Sequence, residues 1–399
     1  MRAQAFIRNR KMGFAAAVTF MLDMRKTTLQ TRLNLFFAHN GGGEPISQQA
    51  FSKLRANFDH SPFETMVRTV VKEEYSGKYE LPLWNGFHLF ANDGSYLQLP
   101  WEKELKQEYG VRGGGGRPSA GVSILYDVLH GWVLDPIITS TNMNEREECE
   151  KHIDFLCGQL PHLVEQSIML LDRGYPSLEL LEKLQKSGLK YLARCSSQFA
   201  PEINTAPLGD TTVTLKNGIR VRVIKFVLKD GNIETLATNL FDLPESMFPE
   251  LYALRWGVET AYSRLKQELC VEKLSGKTPN SIRQDFWASM VLMNAVAVFQ
   301  KVADEEIRER HKDKPVKYEY RARTSDLIIT LRDRFIFAVL CGRPLLAKWE
   351  MASVIKSIAR TLSPVRPGRS FPRRFGRYPA ANFFLMKCTP IGRQRNDAR

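Results

Sequence analysis

The 399-residue sequence lacks three features that would assign it to a specialised class of protein. Its six cysteines include no CxxC pair, so we expect reduced thiols and neither a disulfide frame nor a structural zinc site. Its longest largely apolar run, residues 286–299, contains Ser289 and Asn294 and is shorter than the roughly 20 residues that cross a bilayer. It has no internal repeat and no low-complexity tract. We therefore expect a soluble globular protein in which residues 286–299 form a buried helix.

Acidic residues are scarce at both ends of the chain. Residues 1–60 carry nine Lys and Arg against three acids, residues 360–399 carry ten against one, and the net charge is +14. Basic ends favour a polyanion such as nucleic acid as partner, because each neutralised phosphate releases condensed counterions. From Arg360 onward nine of the ten basic residues are Arg, whose guanidinium matches phosphate in a bidentate way. We expect this tail to contact DNA; a solvated terminus that only aids solubility is the alternative.

The first 80 residues have the pattern of a small helical region. Residues 14–24 and 28–37 carry apolar side chains at three- and four-residue spacing, and glycines and Pro45 then break the chain. Ser47 is placed to cap a further helix through Leu54. The polar side chains available on that helix are Gln48, Gln49, Lys53 and Arg55. This pattern fits a DNA-binding head, and it fits an amphipathic helical cap equally well.

The middle of the chain has the pattern of an α/β layer. Strands are predicted at residues 87–91, 96–99, 121–129, 132–139, 167–171 and 191–195, and helices at 144–160 and 178–186. Strands followed by alternating helix and strand indicate a mixed sheet. Turns at residues 217–218 and 230–231 then divide residues 197–240 into a β-meander. Helices resume at Met247 and are predicted to continue to about Val302, with more helical pattern at residues 325–360.

Two aspartates stand at predicted strand ends. Asp93 follows one strand in Asn-Asp-Gly-Ser, and Asp172 follows another in Leu-Asp-Arg-Gly-Tyr. An acid at a strand terminus is held rigidly yet faces solvent, as the oxygen ligands of a divalent ion require. The spacing alone is unspecific, because Asp-Gly is a common turn and Asp127 and Asp135 occupy similar positions.

A helical segment further along carries a more specific pattern. On a straight α-helix Tyr252, Arg255, Glu259 and Lys266 share one face about 60° wide. An ordinary Arg255–Glu259 surface pair, worth a few tenths of a kcal/mol, leaves the alignment of the other two residues unexplained.

These motifs together resemble those of the IS4 family of bacterial DDE transposases. The family signature Tyr-(2)-Arg-(3)-Glu-(6)-Lys matches at Tyr252, Arg255, Glu259 and Lys266, Asp-Gly-Ser/Thr matches at Asp93, and Asp-Arg-Gly-aromatic matches at Asp172. The resemblance covers roughly residues 5–305. It implies an RNase H-like core with a mixed sheet, in which Asp93, Asp172 and Glu259 bind two Mg²⁺ ions, with Mn²⁺ as a substitute.

The resemblance also implies how the chain is organised. The five expected regions are a helical N-terminal DNA-binding region (1–80), the first part of the catalytic core (81–196), a β-strand insertion (197–245), the second part of the core with the glutamate helix (246–305), and a helical, basic C-terminal region (306–399). Apolar residues 13–22 lead into Asp23, Met24 and Arg25 rather than a cleavage site, so we expect a cytoplasmic, nucleoid-associated protein.

The implied activity is cut-and-paste DNA transposition by phosphoryl transfer. A metal pair would assist hydrolysis at the transposon ends and then attack by the freed 3′-hydroxyl on target DNA. Tyr252, Arg255 and Lys266 would hold phosphates, and the partners would be double-stranded DNA, namely terminal inverted repeats and target, and a second copy of the chain, with no membrane. A hairpin step stays open, since no Trp occurs between Arg173 and Leu251, and Trp256 is predicted to be a packing residue. A non-catalytic DNA-binding regulator and a host nuclease are the alternatives.

Overall fold

The computed structural model describes residues 11–23, 27–39, 43–113, 116–340 and 344–365. Within them the helices are α1 (Phe14–Met21), α2 (Leu29–His39), α3 (Gln48–Arg55), α4 (Ser61–Glu74), α5 (Lys103–Tyr109), α6 (Glu145–Gln159), α7 (Leu178–Ser187), α8 (Pro201–Asn204), α9 (Phe248–Ala253), α10 (Trp256–Ser263), α11 (Pro279–His311), α12 (Thr324–Leu340) and α13 (Pro344–Ile358). The strands are β1 (His88–Gln98), β2 (Ser119–Asp127), β3 (Val133–Thr139), β4 (Ser167–Leu171), β5 (Lys190–Arg194), β6 (Gly209–Thr214), β7 (Arg220–Val227), β8 (Ile233–Thr238), β9 (Tyr320–Ala322) and β10 (Leu362–Pro364).

The chain folds as two units. The first consists of Met1–Phe63 and Ser263–Arg399, and the second is the continuous segment Glu64–Tyr262. The organisation into five regions that the sequence suggests stays a prediction.

The second unit is built on one eight-stranded mixed sheet, as expected for an α/β fold. Its strand order is β3-β2-β1-β4-β5-β8-β7-β6. The β1–β4 and β4–β5 pairs are parallel and the other pairs are antiparallel. All five residues of β4 are buried, which fits a central strand covered on both faces. The meander predicted from the sequence is present as β6–β8, and its strands continue the sheet through the β5–β8 pair.

The strand that carries Asp93 differs from its prediction. Two strands separated by a turn at residues 92–95 were expected, but β1 is continuous from His88 to Gln98 and pairs with β2 throughout residues 90–98. The buried Asn92 amide donates to Ser123 Oγ and to the Ile124 carbonyl at 3.1 Å each, which holds the segment in the sheet. Asp93 is therefore a residue inside a strand rather than in a turn.

In the first unit, the predicted cap of α3 is confirmed and the predicted exposure of Arg55 is wrong. Ser47 Oγ accepts the Ala50 N–H at 3.2 Å, so α3 begins where expected. Arg55, expected on the open polar side of α3, is instead buried, because its guanidinium donates to Gln284 Oε1 at 2.8 Å and to Asp285 Oδ1 at 3.0 Å. It ties α3 to α11 and is not available to bind DNA.

Helix α11 contains the apolar run noted in the sequence. Thr278 caps it and forms a reciprocal capping box with Ser281. By length and composition it is the one helix among the described residues that could span a membrane, and 67% of its most apolar window is buried inside the structure. Buried core helices have the same composition, and the prediction of a buried helix at residues 286–299 agrees with this burial.

Two further predictions from the sequence concern the cysteines and the basic tail. Cys149, Cys157 and Cys195 are free thiols as expected, whereas Cys270 is disulfide-bonded, so the expectation of reduced thiols throughout is wrong. The arginine-rich tail predicted to contact DNA lies outside the described residues from residue 366 onward.

Candidate active site

Asp93 lies in β1, two residues beyond the part of that strand that pairs with β4. Its Oδ1 accepts the Gly94 N–H at 2.9 Å. The pKa of Asp93 is raised to about 6, chiefly by burial and also by the charges of Glu259 and Glu145, while the Gly94 N–H and the charge of Arg255 act to lower it. The Asp93 carboxyl therefore lies within electrostatic reach of Arg255 and of two other acids.

Asp172 directly follows the last residue of β4. Because β1 and β4 are parallel, their carboxyl ends point to the same edge of the sheet, and both aspartates lie at that edge. Asp172 Oδ1 accepts a hydrogen bond from the Tyr252 hydroxyl at 3.2 Å. The Tyr175 N–H closes the turn after β4 by donating to the Asp172 carbonyl at 3.0 Å.

The segment that carries Tyr252, Arg255 and Glu259 is not the straight helix that the sequence predicts. Helix α9 ends at Ala253 and α10 begins at Trp256, and the Arg255 N–H bonds to the Tyr252 carbonyl three residues back. Such three-residue bonds tighten the chain between the helices. The break brings Gly257 close to the residue that follows β2, since a Cβ on Gly257 would lie only 3.2 Å from Val128 Cβ.

Arg255 links the acids of the site. It is 6% exposed, its Nη2 donates to Glu259 Oε1 at 2.6 Å, and its guanidinium lies 5.8 Å from the centre of the Tyr252 ring. Burial acts to lower the pKa of Arg255, but Tyr252, Asp172 and Glu259 together raise it. Its Nε is buried and has no hydrogen-bond partner among the described residues. The structure thus brings Asp93, Asp172, Glu259, Tyr252 and Arg255 together.

Lys266 lies in a different setting from the other signature residues. It belongs to the π-helical turn Arg264–Glu268, in the first unit of the chain. The prediction that a regular α-helix aligns it with Tyr252 is therefore wrong in its geometry.

The other two candidate aspartates are structural. Asp127 is buried and pairs with His130 Nδ1 at 2.8 Å, and Asp135 pairs with Arg68 Nη1 and with His152 Nδ1 at 2.6 Å each. With partners on their carboxylate oxygens, both stabilise the fold.

The donor set of the site suits a hard divalent cation. Asp93, Asp172 and Glu259 offer carboxylate oxygens, the ligands that Mg²⁺ prefers in proteins. In the present arrangement, no three His, Cys, Asp or Glu side chains of the described residues are close enough to hold a metal ion. Two of the three carboxylates are hydrogen-bonded to Tyr252 and Arg255 instead. The residues therefore fit the group chemically, and binding requires the three carboxylates to come closer together.

Comparison with known proteins identifies the family of this chain. Residues 87–295 match the family described as "Transposase DDE domain", a stretch that contains all three acids. The chain belongs to the IS4 family of DDE transposases. It is 24% identical over 241 residues to the transposase InsG of insertion sequence element IS4 from Escherichia coli K12, covering 54% of this chain and 52% of that protein. The matched region thus spans about half the length of that relative.

Two further proteins and one solved structure are also similar to this chain. A probable transposase of element IS5377 from Geobacillus stearothermophilus is 30% identical over 137 residues, covering 34% of this chain and 35% of that protein. A putative transposase of element IS4SA from Synechocystis is 23% identical over 274 residues, covering 66% and 73%. A cryo-EM structure of the piggyBac transposase synaptic complex with hairpin DNA aligns at 13% identity with a TM-score of 0.46, over 89% of this chain and 76% of that one.

Two residues near the transposase acids could not be predicted from the sequence. The Tyr262 hydroxyl donates to the Asp93 carbonyl at 2.8 Å, and Glu145 acts electrostatically on Asp93. A tyrosine on a helix and a glutamate in a helical first turn are too common for their spacing to reveal such contacts. Trp256, predicted to be a packing residue, is 50% exposed.

Proposed function

We propose that this transposase cuts DNA at transposon ends and joins the freed 3′-hydroxyl to target DNA by divalent-metal-dependent phosphoryl transfer. The observation that carries the proposal is that Asp93, Asp172 and Glu259 all lie within electrostatic reach of Arg255, at the carboxyl edge of parallel strands. When bound, a pair of Mg²⁺ or Mn²⁺ ions would supply activation of an attacking oxygen and stabilisation of a leaving one. Asp93, Asp172 and Glu259 are the residues that would hold them.

The remaining side chains act on the substrate and on the acids. Arg255 orients Glu259 and keeps a buried Nε–H free to bind a phosphate oxygen. Tyr252 orients Asp172 through its hydroxyl. A positive charge fixed at this point positions the scissile phosphate, which is the main contribution protein groups make in phosphoryl transfer. Lys266 would contact phosphate nearby along the DNA.

The proposal extends to the rest of the chain. The eight-stranded sheet, with β1 and β4 carrying the aspartates, supports an RNase H-like core. We propose that the helical N-terminal region and the basic tail bind the terminal inverted repeats, that two copies pair the ends, and that the protein acts on DNA in the bacterial cytoplasm.

A cleavage assay on the cognate ends tests the function. DNA carrying the inverted repeats that flank the gene is incubated with Mg²⁺ and with wild-type protein, Asp172→Asn or Glu259→Gln. We expect nicking and strand transfer by the wild type only, with end binding retained by both variants. Glu250→Gln, on α9 and outside the group of acids, serves as the matched control and should cleave like the wild type.

The alternatives give different results in the same assay. Binding without nicking by the wild type would favour a non-catalytic regulator. Cleavage without end specificity or strand transfer would favour a host nuclease. Cleavage retained by Glu259→Gln would contradict the assignment of the acids.

A further inference from the structure

The Glu145 carboxylate lies between the two segments that carry the aspartates. Glu145 is the first residue of α6. A Cβ added to Gly94, the neighbour of Asp93, would lie 3.0 Å from Glu145 Oε1. A Cβ added to Gly174, two residues after Asp172, would lie 3.6 Å from Glu145 Oε2. Each oxygen of Glu145 thus faces one of the two aspartate motifs, across a glycine.

Hydrogen bonds made by the side chains on either side of Glu145 hold this arrangement in place. Arg146 Nε donates to the Gly174 carbonyl at 3.2 Å, which fixes the start of α6 against the Asp172 loop. Asn144 caps the helix by accepting the Arg146 N–H at 3.1 Å. Asn144 and Arg146 therefore fix the position of the Glu145 backbone, and the Glu145 carboxylate takes no part in these hydrogen bonds.

Among the residues that the structure describes, Glu145 has no partner that balances its charge. Its carboxylate forms no hydrogen bond or ion pair within the part of the chain that the structure describes, although it is only partly exposed. It faces Asp93, whose pKa its charge helps to raise. Like charges held this close repel, and a bound cation is the group that relieves such repulsion.

A second, buried group lies near the same acids. Tyr175 is 1% exposed, and its hydroxyl has no hydrogen-bond partner among the described residues. Apart from burial, the charges of Asp93, Cys149 and Glu145 act on that hydroxyl. A buried donor without a partner costs free energy unless a ligand or water satisfies it. The hydroxyl therefore lies within electrostatic reach of Asp93 and Glu145, where a ligand or a water molecule would satisfy it.

The helix dipole alone does not account for Glu145. Acids in a first turn stabilise a helix, and α6 has Glu145, Glu147 and Glu148 there. Glu147 is exposed and accepts a hydrogen bond from the Asn144 amide at 2.9 Å, so it already serves this role without entering the site. The Glu145 carboxylate, in contrast, lies beside Gly94 and Gly174.

We propose that Glu145 is a fourth carboxylate of the divalent-cation site, binding the cation beside Asp93 and Asp172. This inference rests on the proposed function, because it assumes that the two aspartates bind a cation. The oxygen donors of the site would then be Asp93, Asp172, Glu259 and Glu145, the last of which comes from the start of α6.

Mn²⁺ binding without DNA tests the inference independently of catalysis. The full-length protein is titrated with Mn²⁺, and free Mn²⁺ is measured by electron paramagnetic resonance. Glu145→Gln keeps the side-chain shape and should weaken binding at least about tenfold. Glu147→Gln removes the same charge from the same turn and should change the affinity less than about twofold. Asp172→Asn reports whether the proposed site binds Mn²⁺ at all.

Thermal unfolding in the same samples separates binding from folding. Without cation, Glu145→Gln should unfold at the wild-type temperature or above, because it relieves repulsion with Asp93. With Mn²⁺ its unfolding temperature should rise less than that of the wild type. If the Gln variant fails to fold, Glu145→Asp keeps the charge but shortens the reach, and it should also bind Mn²⁺ more weakly.

The outcomes distinguish the two claims. Wild-type affinity in Glu145→Gln or Glu145→Asp, together with abolished binding in Asp172→Asn, would overturn the role of Glu145 and leave the proposed function intact. Unchanged affinity in Asp172→Asn as well would overturn both.

Discussion

At the residue scale, the site concentrates negative charge around Asp93. Burial and the charges of Glu259 and Glu145 oppose its ionisation, and Arg255 compensates only in part because it is also bound to Glu259. A site of this kind is costly without cations and favourable with them. The acids that the proposed chemistry requires therefore lower the stability of the cation-free fold.

The raised pKa of Asp93 predicts a stability effect in cation-free protein. Its folded pKa of about 6 exceeds the unfolded value of about 4, so the folded state binds more protons between these values. The contribution of Asp93 to stability should therefore fall as pH rises from about 4 to about 6 and stay lower above it. Asp93→Asn removes this cost and should be more stable than the wild type by on the order of 1 kcal/mol at pH 7.5.

Urea unfolding with a chelator at pH 7.5 and at pH 4 measures this difference. The advantage of the Asn variant should shrink at pH 4, where Asp93 is protonated in the folded wild type. An Asn variant less stable than the wild type at pH 7.5 would show that the Asp93 charge is well compensated.

Arg255 gives a second prediction at this scale. Arg255→Lys keeps the charge but removes the planar fork that reaches Glu259 and leaves Nε–H free. We expect end cleavage to slow at least about tenfold, with a small change in end affinity, because the fork orients the scissile group. Arg220→Lys, an exposed residue on β7, is the control and should cleave at the wild-type rate. A wild-type rate in Arg255→Lys would mean that its charge alone suffices.

At the scale of elements, local rules predicted much of the fold. The cap at Ser47, the helix predicted at residues 144–160 and the limits of β4 follow from nearest neighbours along the chain, and the structure confirms them. The continuous β1 was missed because its Asp-Gly pair is typical of a turn, whereas hydrogen bonds from Asn92 to β2 keep it in the sheet. The break between α9 and α10 was missed because helical periodicity continues across it.

Two glycines test how the elements pack. A Cβ on Gly121 of β2 would lie 2.6 Å from the Ser140 carbonyl oxygen, so backbone must shift. Gly121→Ala should lower the free energy of unfolding by about 2 kcal/mol. Gly158 on α6 has no atom within 4 Å of such a Cβ, and Gly158→Ala should be neutral or stabilise by up to about 1 kcal/mol. Equal effects in chemical denaturation would contradict the packing at Gly121.

At the scale of the whole molecule, the sequence could not predict which segments fold together. Arg55 and Asp285 form an ion pair across 230 residues of chain within the first unit. Such a pairing depends on tertiary contacts that no local pattern records. The site was found because its acids belong to motifs of a known family, and Glu145 was missed because it belongs to none of them.

The basic tail gives a prediction at the same scale. Ending the chain after Val365 keeps the β9–β10 pair and removes nine basic residues. We expect the slope of log affinity against log salt for end DNA to flatten by about 0.9 for each phosphate that the tail no longer neutralises. An unchanged slope, with an unchanged unfolding temperature, would mean that residues 366–399 do not touch phosphate.

Anomalous diffraction from crystals of the protein bound to end DNA and Mn²⁺ tests most directly whether the three acids hold a metal pair. We expect two anomalous peaks about 3.5–4 Å apart, with oxygens of Asp93, Asp172 and Glu259 within about 2.3 Å of a peak. Peaks elsewhere on the molecule, or at one of these carboxylates alone, would contradict this expectation.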